Sequence, residues 1–350
     1  MLRLVFLLTG ISLSAAPIAA AGPVIDASAR YINMAIQGNL TGAETMLELA
    51  EQEGAPDALS LLTQFRKRFG ANAVPEVSVS VNPFVNRVTL AYQRYWNDGL
   101  MRKATASESE RHLTSALSNL ISPQAHGGSS DSIELFERLA ELLLREGLYA
   151  FTGPSPPFRD LYLWKTQRTE RYEVLLTDRT LGLNVVFMDD IITQGWKEYA
   201  SLGLASVTGW VDGGQLYCVR WAYDIESENF AVSYLKHEAR HLADLADYPG
   251  MDTTELEYRA KLTELAFANQ TLQRILLDFT NKATANAASP HAMANFRVIH
   301  DIYERLNGQA VMPGAELAWT HTKSRDINQA ARELLAENSA FHSRAAQVNR

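Results

Sequence analysis

The chain has 350 residues, a formal net charge of −8 and one cysteine, Cys218. A single cysteine excludes an intrachain disulfide and a zinc site held by several thiolates, so stability must come from an apolar core. Apolar residues make up 47% and charged residues 21% of the sequence, as in ordinary soluble globular proteins. No basic patch stands out, and we expect no nucleic-acid partner.

Residues 1–21 have the pattern of a secretory signal peptide. Arg3 supplies a short basic segment, and the apolar run from Leu4 to Leu13 is too short to span a bilayer. Ala19-Ala20-Ala21 then offers a small-residue cleavage site. We expect cleavage near Ala21 and export to a bacterial periplasm or beyond. No second long apolar run follows, so we expect no transmembrane segment after signal removal.

Residues 22–150 have the periodicity of a helical N-terminal region. Apolar residues recur three and four apart in Ala27 to Ile36, Thr41 to Glu53 and Ala58 to Phe69. Glycine or proline separates these segments, as expected where helices end. The pattern predicts several packed helices but does not indicate what this region does.

Composition shifts near the Gly-Pro-Ser-Pro-Pro stretch at 153–157, and a second region, residues 151–350, begins there. The alternation of apolar residues favours strands first and helices later. The predicted elements are strands over Leu161–Thr166, Tyr172–Leu176 and Asn184–Met188, a helix over Asp190–Tyr199, a hairpin of Ala205–Val211 and Gln215–Tyr223, and helices over Glu255–Phe279, Met293–Leu306 and Asp326–Gln347. The sequence therefore predicts a predominantly helical α+β fold with a small mixed or antiparallel sheet.

After the hairpin the chain carries the sequence His237-Glu238-Ala239-Arg240-His241, an H-E-x-x-H motif. On a helix, residues four apart lie one turn apart on the same face, so both imidazoles can bind one ion. Imidazole nitrogen is a good zinc ligand, and a catalytic site needs three protein ligands and a position for water. Glu238 is placed to take the proton of that water.

The motif is followed by a turn and a segment that contains Glu257-Tyr258-Arg259-Ala260-Lys261. This pair of segments, within Val232 to Leu265, resembles the gluzincin branch of the HExxH zinc metallopeptidases, or zincins. It is also similar to uncharacterised exported bacterial proteins that carry both segments. The resemblance implies a zincin-like core, Zn²⁺ bound by His237, His241 and Glu257, and Glu238 as general base. Lys261 departs from the family pattern, which more usually has an acidic residue or Asn there.

Two other residues remain open as the third ligand. Glu255 is the reserve, because either glutamate fits a capping box after Asp252 or Thr254. In a second zincin branch, the metzincins, the third ligand would fall on Asp247. That pattern needs a glycine at position 244, where this chain has Asp244. Asp244 is instead a candidate to accept the free N–H of a ligand histidine.

Related sites add a donor for the developing oxyanion, and His291 is our first candidate, ahead of His300, Tyr303 and Tyr258. Together these features predict an exported zinc metallopeptidase with a peptide or protein substrate. The alternative is an exported helical binding or envelope-assembly protein with an inactive or structural zincin-like core. A hydrolase of non-peptide amides is a third hypothesis. Neither the substrate nor the oligomeric state follows from the sequence.

Overall fold

The computed structural model describes residues 11–13, 27–71, 73, 80, 82–121, 132–285, 289–309, 319 and 322–348. The predicted cleavage site lies outside these residues. The chain divides into two compact units. The N-unit comprises Leu4–Arg168 and Met188–Thr208, and the site unit comprises Met1–Arg3, Thr169–Phe187 and Gly209–Arg350. The division into a helical region 22–150 and a zincin-like region 151–350 remains a prediction from the sequence.

The described part of the N-unit is mainly helical, as its periodicity predicts. Apolar faces of these helices meet in one core that includes Phe65, Tyr92 and Trp96. Asn82 caps one helix by accepting from the Phe84 amide, with Pro83 in the first turn. The helices are α1 (Ala27–Ala35), α2 (Leu40–Gln52), α3 (Ala58–Phe69), α4 (Pro83–Leu100), α5 (Ala106–Ile121), α6 (Ser132–Arg145) and α7 (Gly195–Ala200).

The strands are β1 (Ile11–Leu13), β2 (Tyr149–Phe151), β3 (Pro154–Ser155), β4 (Phe158–Arg159), β5 (Tyr162–Leu175), β6 (Thr180–Gln194), β7 (Ala205–Val207), β8 (Gly209–Asp212) and β9 (Gln215–Val219). A mixed five-stranded sheet has the order β2-β5-β6-β9-β8, and β1 pairs with β7 and β3 with β4. The predicted hairpin around Gly213-Gly214 is confirmed as the antiparallel pair β8 and β9. Its opposed residues Trp210 and Tyr217 stack their rings with centroids 5.4 Å apart.

The predicted helix over Asp190–Tyr199 is wrong in its first half. Strand β6 continues to Gln194, through β-branched Ile191, Ile192 and Thr193, and only then does α7 begin. Gly195 makes the turn with a φ of 78°, which favours glycine. The two strands predicted over 161–166 and 172–176 are one long strand, β5.

The site unit has a π-helical segment, Asn229–Lys236, that runs directly into α8 (His237–Asp247). The further helices are α9 (Thr253–Phe267), α10 (Leu272–Asn281), α11 (Pro290–Asn307) and α12 (Ser324–Val348). Helix α9 lies at the centre, packed against α8, α11, α12 and the π-helical segment. Its residues from Leu256 to Ala266 are all buried.

The single helix predicted over Glu255–Phe279 is interrupted between α9 and α10. There the Glu228 carboxylate accepts hydrogen bonds from the amides of Asn269 and Thr271, at 2.9 and 2.8 Å. It also accepts from the Gln270 amide. A carboxylate from a distant part of the chain thus satisfies the backbone donors that open α10.

These elements confirm the predominantly helical α+β class and its mixed sheet. Among the described residues, no helix is long and apolar enough to cross a bilayer.

Candidate metal centre

Helix α8 brings the two motif histidines together as predicted. His237 and His241 are one turn apart and buried, and their Nε2 atoms are 3.0 Å from each other. Two ring nitrogens at this separation need a shared proton or a shared cation between them. The π-helical segment leads into this turn, and such segments are frequent at functional sites.

Helix α9 supplies the third group, Glu257, whose side chain is fully buried. Its Oε1 lies 3.5 Å from His241 Nε2, and its Oε2 lies 3.9 Å from His237 Nε2. The ligand atoms of His237, His241 and Glu257 all fall within 4.8 Å of one another. Ligands of a tetrahedral zinc ion are about 3.3 Å apart, given bonds of about 2.0–2.1 Å. The spacing of the three residues therefore fits one ion.

A fourth residue, Glu264, supports the pair of histidines and was missed by the sequence interpretation. Its Oε1 is 2.8 Å from His237 Nδ1, so the N–H of that nitrogen can be given to a carboxylate. This leaves the lone pair on His237 Nε2, which faces His241 and Glu257. The sequence does contain a pattern that could have indicated Glu264: Glu257, Lys261 and Glu264 are spaced four and three residues apart, along one face of a helix.

The site gathers several buried carboxyl groups around one ammonium group. Glu238, Glu257 and Glu264 are all buried, and Lys261 Nζ is 3.7 Å from Glu257 Oε2. Among the described residues, no hydrogen-bond partner is present for Glu238 Oε2 or for Glu257 Oε1. Buried carboxylate oxygens of this kind are normally paired or bound to a cation. The donor set of two imidazoles and a carboxylate fits Zn²⁺.

Burial and neighbouring charges move the pKa values of these groups in different directions. Burial is the main cause that raises the pKa of Glu238 to about 8, and Glu257 and Glu264 add to it. Burial also lowers the pKa of His241 to about 4, which keeps that imidazole neutral. Burial acts to raise the pKa of Glu257 as well, but His291, His241 and Lys261 outweigh it and hold that pKa well below its usual value.

The two alternative third ligands lie elsewhere. Asp247 pairs with the guanidinium of Arg179, with Nη1 3.2 Å from its Oδ1. Glu255 accepts from Arg297 at 2.7 Å and from Asn338. The reserve role of Glu255 and the metzincin arrangement with Asp247 are therefore wrong in this geometry, because both carboxylates are used in other ion pairs.

The predicted contact of Asp244 with a ligand histidine is also wrong. Arg259 binds both oxygens of Asp244, at 2.7 and 2.8 Å, and Arg240 approaches at 3.3 Å. Glu264 takes the histidine N–H instead. Arg240 also pairs with Asp178, and its side chain is buried.

His291, the predicted oxyanion donor, does lie at the site. Its Nδ1 is 2.8 Å from Glu257 Oε2, and its side chain is 33% exposed. The other three candidates make contacts elsewhere. Tyr258 donates to Asp301, His300 lies against Phe296, and Tyr303 packs on Trp319.

No family model, curated protein or solved structure matches this chain.

Proposed function

We propose that this chain is a zinc-dependent hydrolase of amide bonds, with peptides or proteins as its substrates. The observation that carries the proposal is the convergence of His237, His241 and Glu257 in a buried site beside Glu238. The first two ligands and Glu238 come from one helical turn and the third ligand comes from the helix packed against it. We include in the proposal a zincin-like core and export to the periplasm or the medium.

His237, His241 and Glu257 would hold the ion, and Zn²⁺ in such a site polarises a carbonyl and lowers the pKa of a water molecule. The positive charge of a bound zinc ion would lower the pKa of Glu238, and its carboxylate would then take a proton from the attacking water and pass it to the leaving amine. Glu238 follows His237 directly in the chain, and its buried carboxyl group interacts electrostatically with His237, Glu257 and Glu264. Glu264 holds His237 in the tautomer that presents Nε2.

A Glu238→Gln variant tests the proposal. The amide keeps the size of the side chain but cannot accept the proton, so we expect zinc content to stay at the wild-type level and hydrolysis to be lost. The assay is a peptide library with mass-spectrometric detection, together with zinc content of the purified protein. The matched control is Glu226→Gln, the same substitution at an exposed glutamate of the site unit.

Equal hydrolysis by wild type and Glu238→Gln would contradict the proposal. If neither protein cleaves any peptide or other amide while both bind zinc, the chain is better explained as an exported binding or envelope-assembly protein. Cleavage of non-peptide amides alone, lost in Glu238→Gln, would keep the chemistry and change the substrate class.

A further inference from the structure

The two oxygens of Glu257 have different neighbours. Oε1 is the oxygen nearer to His241 Nε2, at 3.5 Å. Oε2 lies 2.8 Å from His291 Nδ1 and 3.7 Å from Lys261 Nζ. Oε2 is also 3.9 Å from His237 Nε2, but His291 Nδ1 lies closer to it. The contact nearest to Oε2 is therefore with His291 and not with a ligand histidine.

These two groups reach Oε2 from separate elements. Lys261 is one turn beyond Glu257 on α9, and its ammonium lies 4.6 Å from the centre of the Phe279 ring on α10. His291 is in the first turn of α11, directly after Pro290. Helix α11 packs along α9, so the position of the imidazole is set by the packing of two helices.

We propose that His291 is a positioning residue that holds Glu257 Oε2, so that Glu257 offers only Oε1 to the ion. A carboxylate held by one oxygen is a single-oxygen ligand and leaves a coordination position for water. Residues that orient a metal ligand in this way typically change metal affinity 10–100-fold when they are removed. The inference rests on the proposed function for the identity of the ion. It replaces the oxyanion role that the sequence suggested for His291.

The test compares His291→Ala, His291→Asn and His291→Gln by zinc affinity, measured by competition with a chelator. We expect His291→Ala to bind zinc about 10–100-fold more weakly than wild type. The side-chain nitrogen of asparagine occupies nearly the place of histidine Nδ1, so His291→Asn should restore affinity close to wild type. Glutamine places its nitrogen nearer to Nε2 and should not restore it.

His300→Ala is the matched control, because His300 lies on the same helix with its ring against Phe296. Its zinc affinity should equal that of wild type. The visible spectrum with Co²⁺ in place of zinc gives a second readout. Four-coordinate Co²⁺ absorbs strongly, and we expect weaker bands in His291→Ala because a released Glu257 can bind through both oxygens.

The outcomes separate this inference from the proposed function. Wild-type zinc affinity in His291→Ala, with hydrolysis reduced, would overturn the positioning role and favour an oxyanion donor. Weaker zinc binding in His291→Ala, in a protein that hydrolyses nothing, would support the positioning role and remove the proposed activity. A folded wild type that binds no zinc would overturn both.

Discussion

Two arginines of the site unit make ion pairs of similar chemistry in opposite surroundings. Arg259 holds Asp244 with both partners almost fully buried. Arg305 holds Glu337 at 2.6 Å, but the two side chains are 31% and 62% exposed. Water screens the exposed pair, whereas removal of Arg259 leaves the buried Asp244 carboxylate with only the longer contact to Arg240, at 3.3 Å.

We expect Arg259→Met to lower the free energy of unfolding by about 3–5 kcal/mol. The same substitution at Arg305 should cost about 0–1 kcal/mol. Urea unfolding followed by circular dichroism measures both. Equal losses in the two variants would show that burial of the Arg259 pair does not determine its contribution.

Asp160 in the N-unit makes the free energy of unfolding depend on pH. Its carboxylate accepts from the Trp196 amide at 2.6 Å, and burial raises its pKa from 3.8 to about 7. The folded state therefore binds a proton between pH 4 and 7 that the unfolded state has released. The stability linked to this proton is complete below about pH 4 and is lost as the pH rises through about 7.

We expect Asp160→Asn to become more stable relative to wild type as the pH is raised from about 5 to 8. Asparagine keeps the acceptor for Trp196 but has no proton to lose. The relative change over this range is about 2.7 kcal/mol, because the slope of about 1.4 kcal/mol per pH unit applies only up to the folded pKa of about 7. Urea unfolding at the two pH values measures it, and a difference between the proteins that does not vary with pH would contradict the expected linkage.

Single residues of the site were predictable where local spacing decides their position. His237 and His241 are four apart on one helix, and Glu257 was placed by a resemblance. Asp244 was misassigned because its partner, Arg259, comes from another helix and binds it with two hydrogen bonds. No local pattern in the sequence indicates such a pairing.

At the scale of elements, helix α9 depends on its N-cap. Asp252 Oδ1 accepts from the Glu255 amide at 2.9 Å, in the first turn before Glu257. We expect Asp252→Ala to lower the free energy of unfolding by about 0.5–2 kcal/mol, because the first turn loses its acceptor. Asp252→Asn keeps an acceptor at the same position and should lose much less. Thermal unfolding compares the two, and similar losses would show that the cap hydrogen bond is not the cause.

Element boundaries were predicted least well where tertiary contacts decide them. Continuous apolar periodicity predicted one helix over Glu255–Phe279, but Glu228 satisfies the backbone amides at 269–271 and allows a second helix to begin. In the same way, the Asp160 carboxylate accepts a hydrogen bond from the Trp196 amide at the junction where β6 ends and α7 begins. Both contacts join residues far apart in the sequence.

For the whole molecule, periodicity was enough to predict the predominantly helical α+β class. It could not predict strand order, since β6 pairs with β9 although β7 and β8 come between them in the chain. The sequence also could not predict that α9 is buried on all sides, because the helix carries charged residues. A helix enclosed on all sides has no polar face, so its burial is not visible as an amphipathic pattern.

The central claim is that His237, His241 and Glu257 hold one zinc ion, and metal content tests it most directly. The proteins are wild type, His241→Ala, Glu257→Ala and, as a matched control, Asp247→Ala, whose carboxylate pairs with Arg179. We expect about one zinc per chain in wild type and in Asp247→Ala, none in His241→Ala and weakened binding in Glu257→Ala. Folded wild type without zinc when the metal is supplied, or loss of zinc only with Asp247→Ala, would contradict the account.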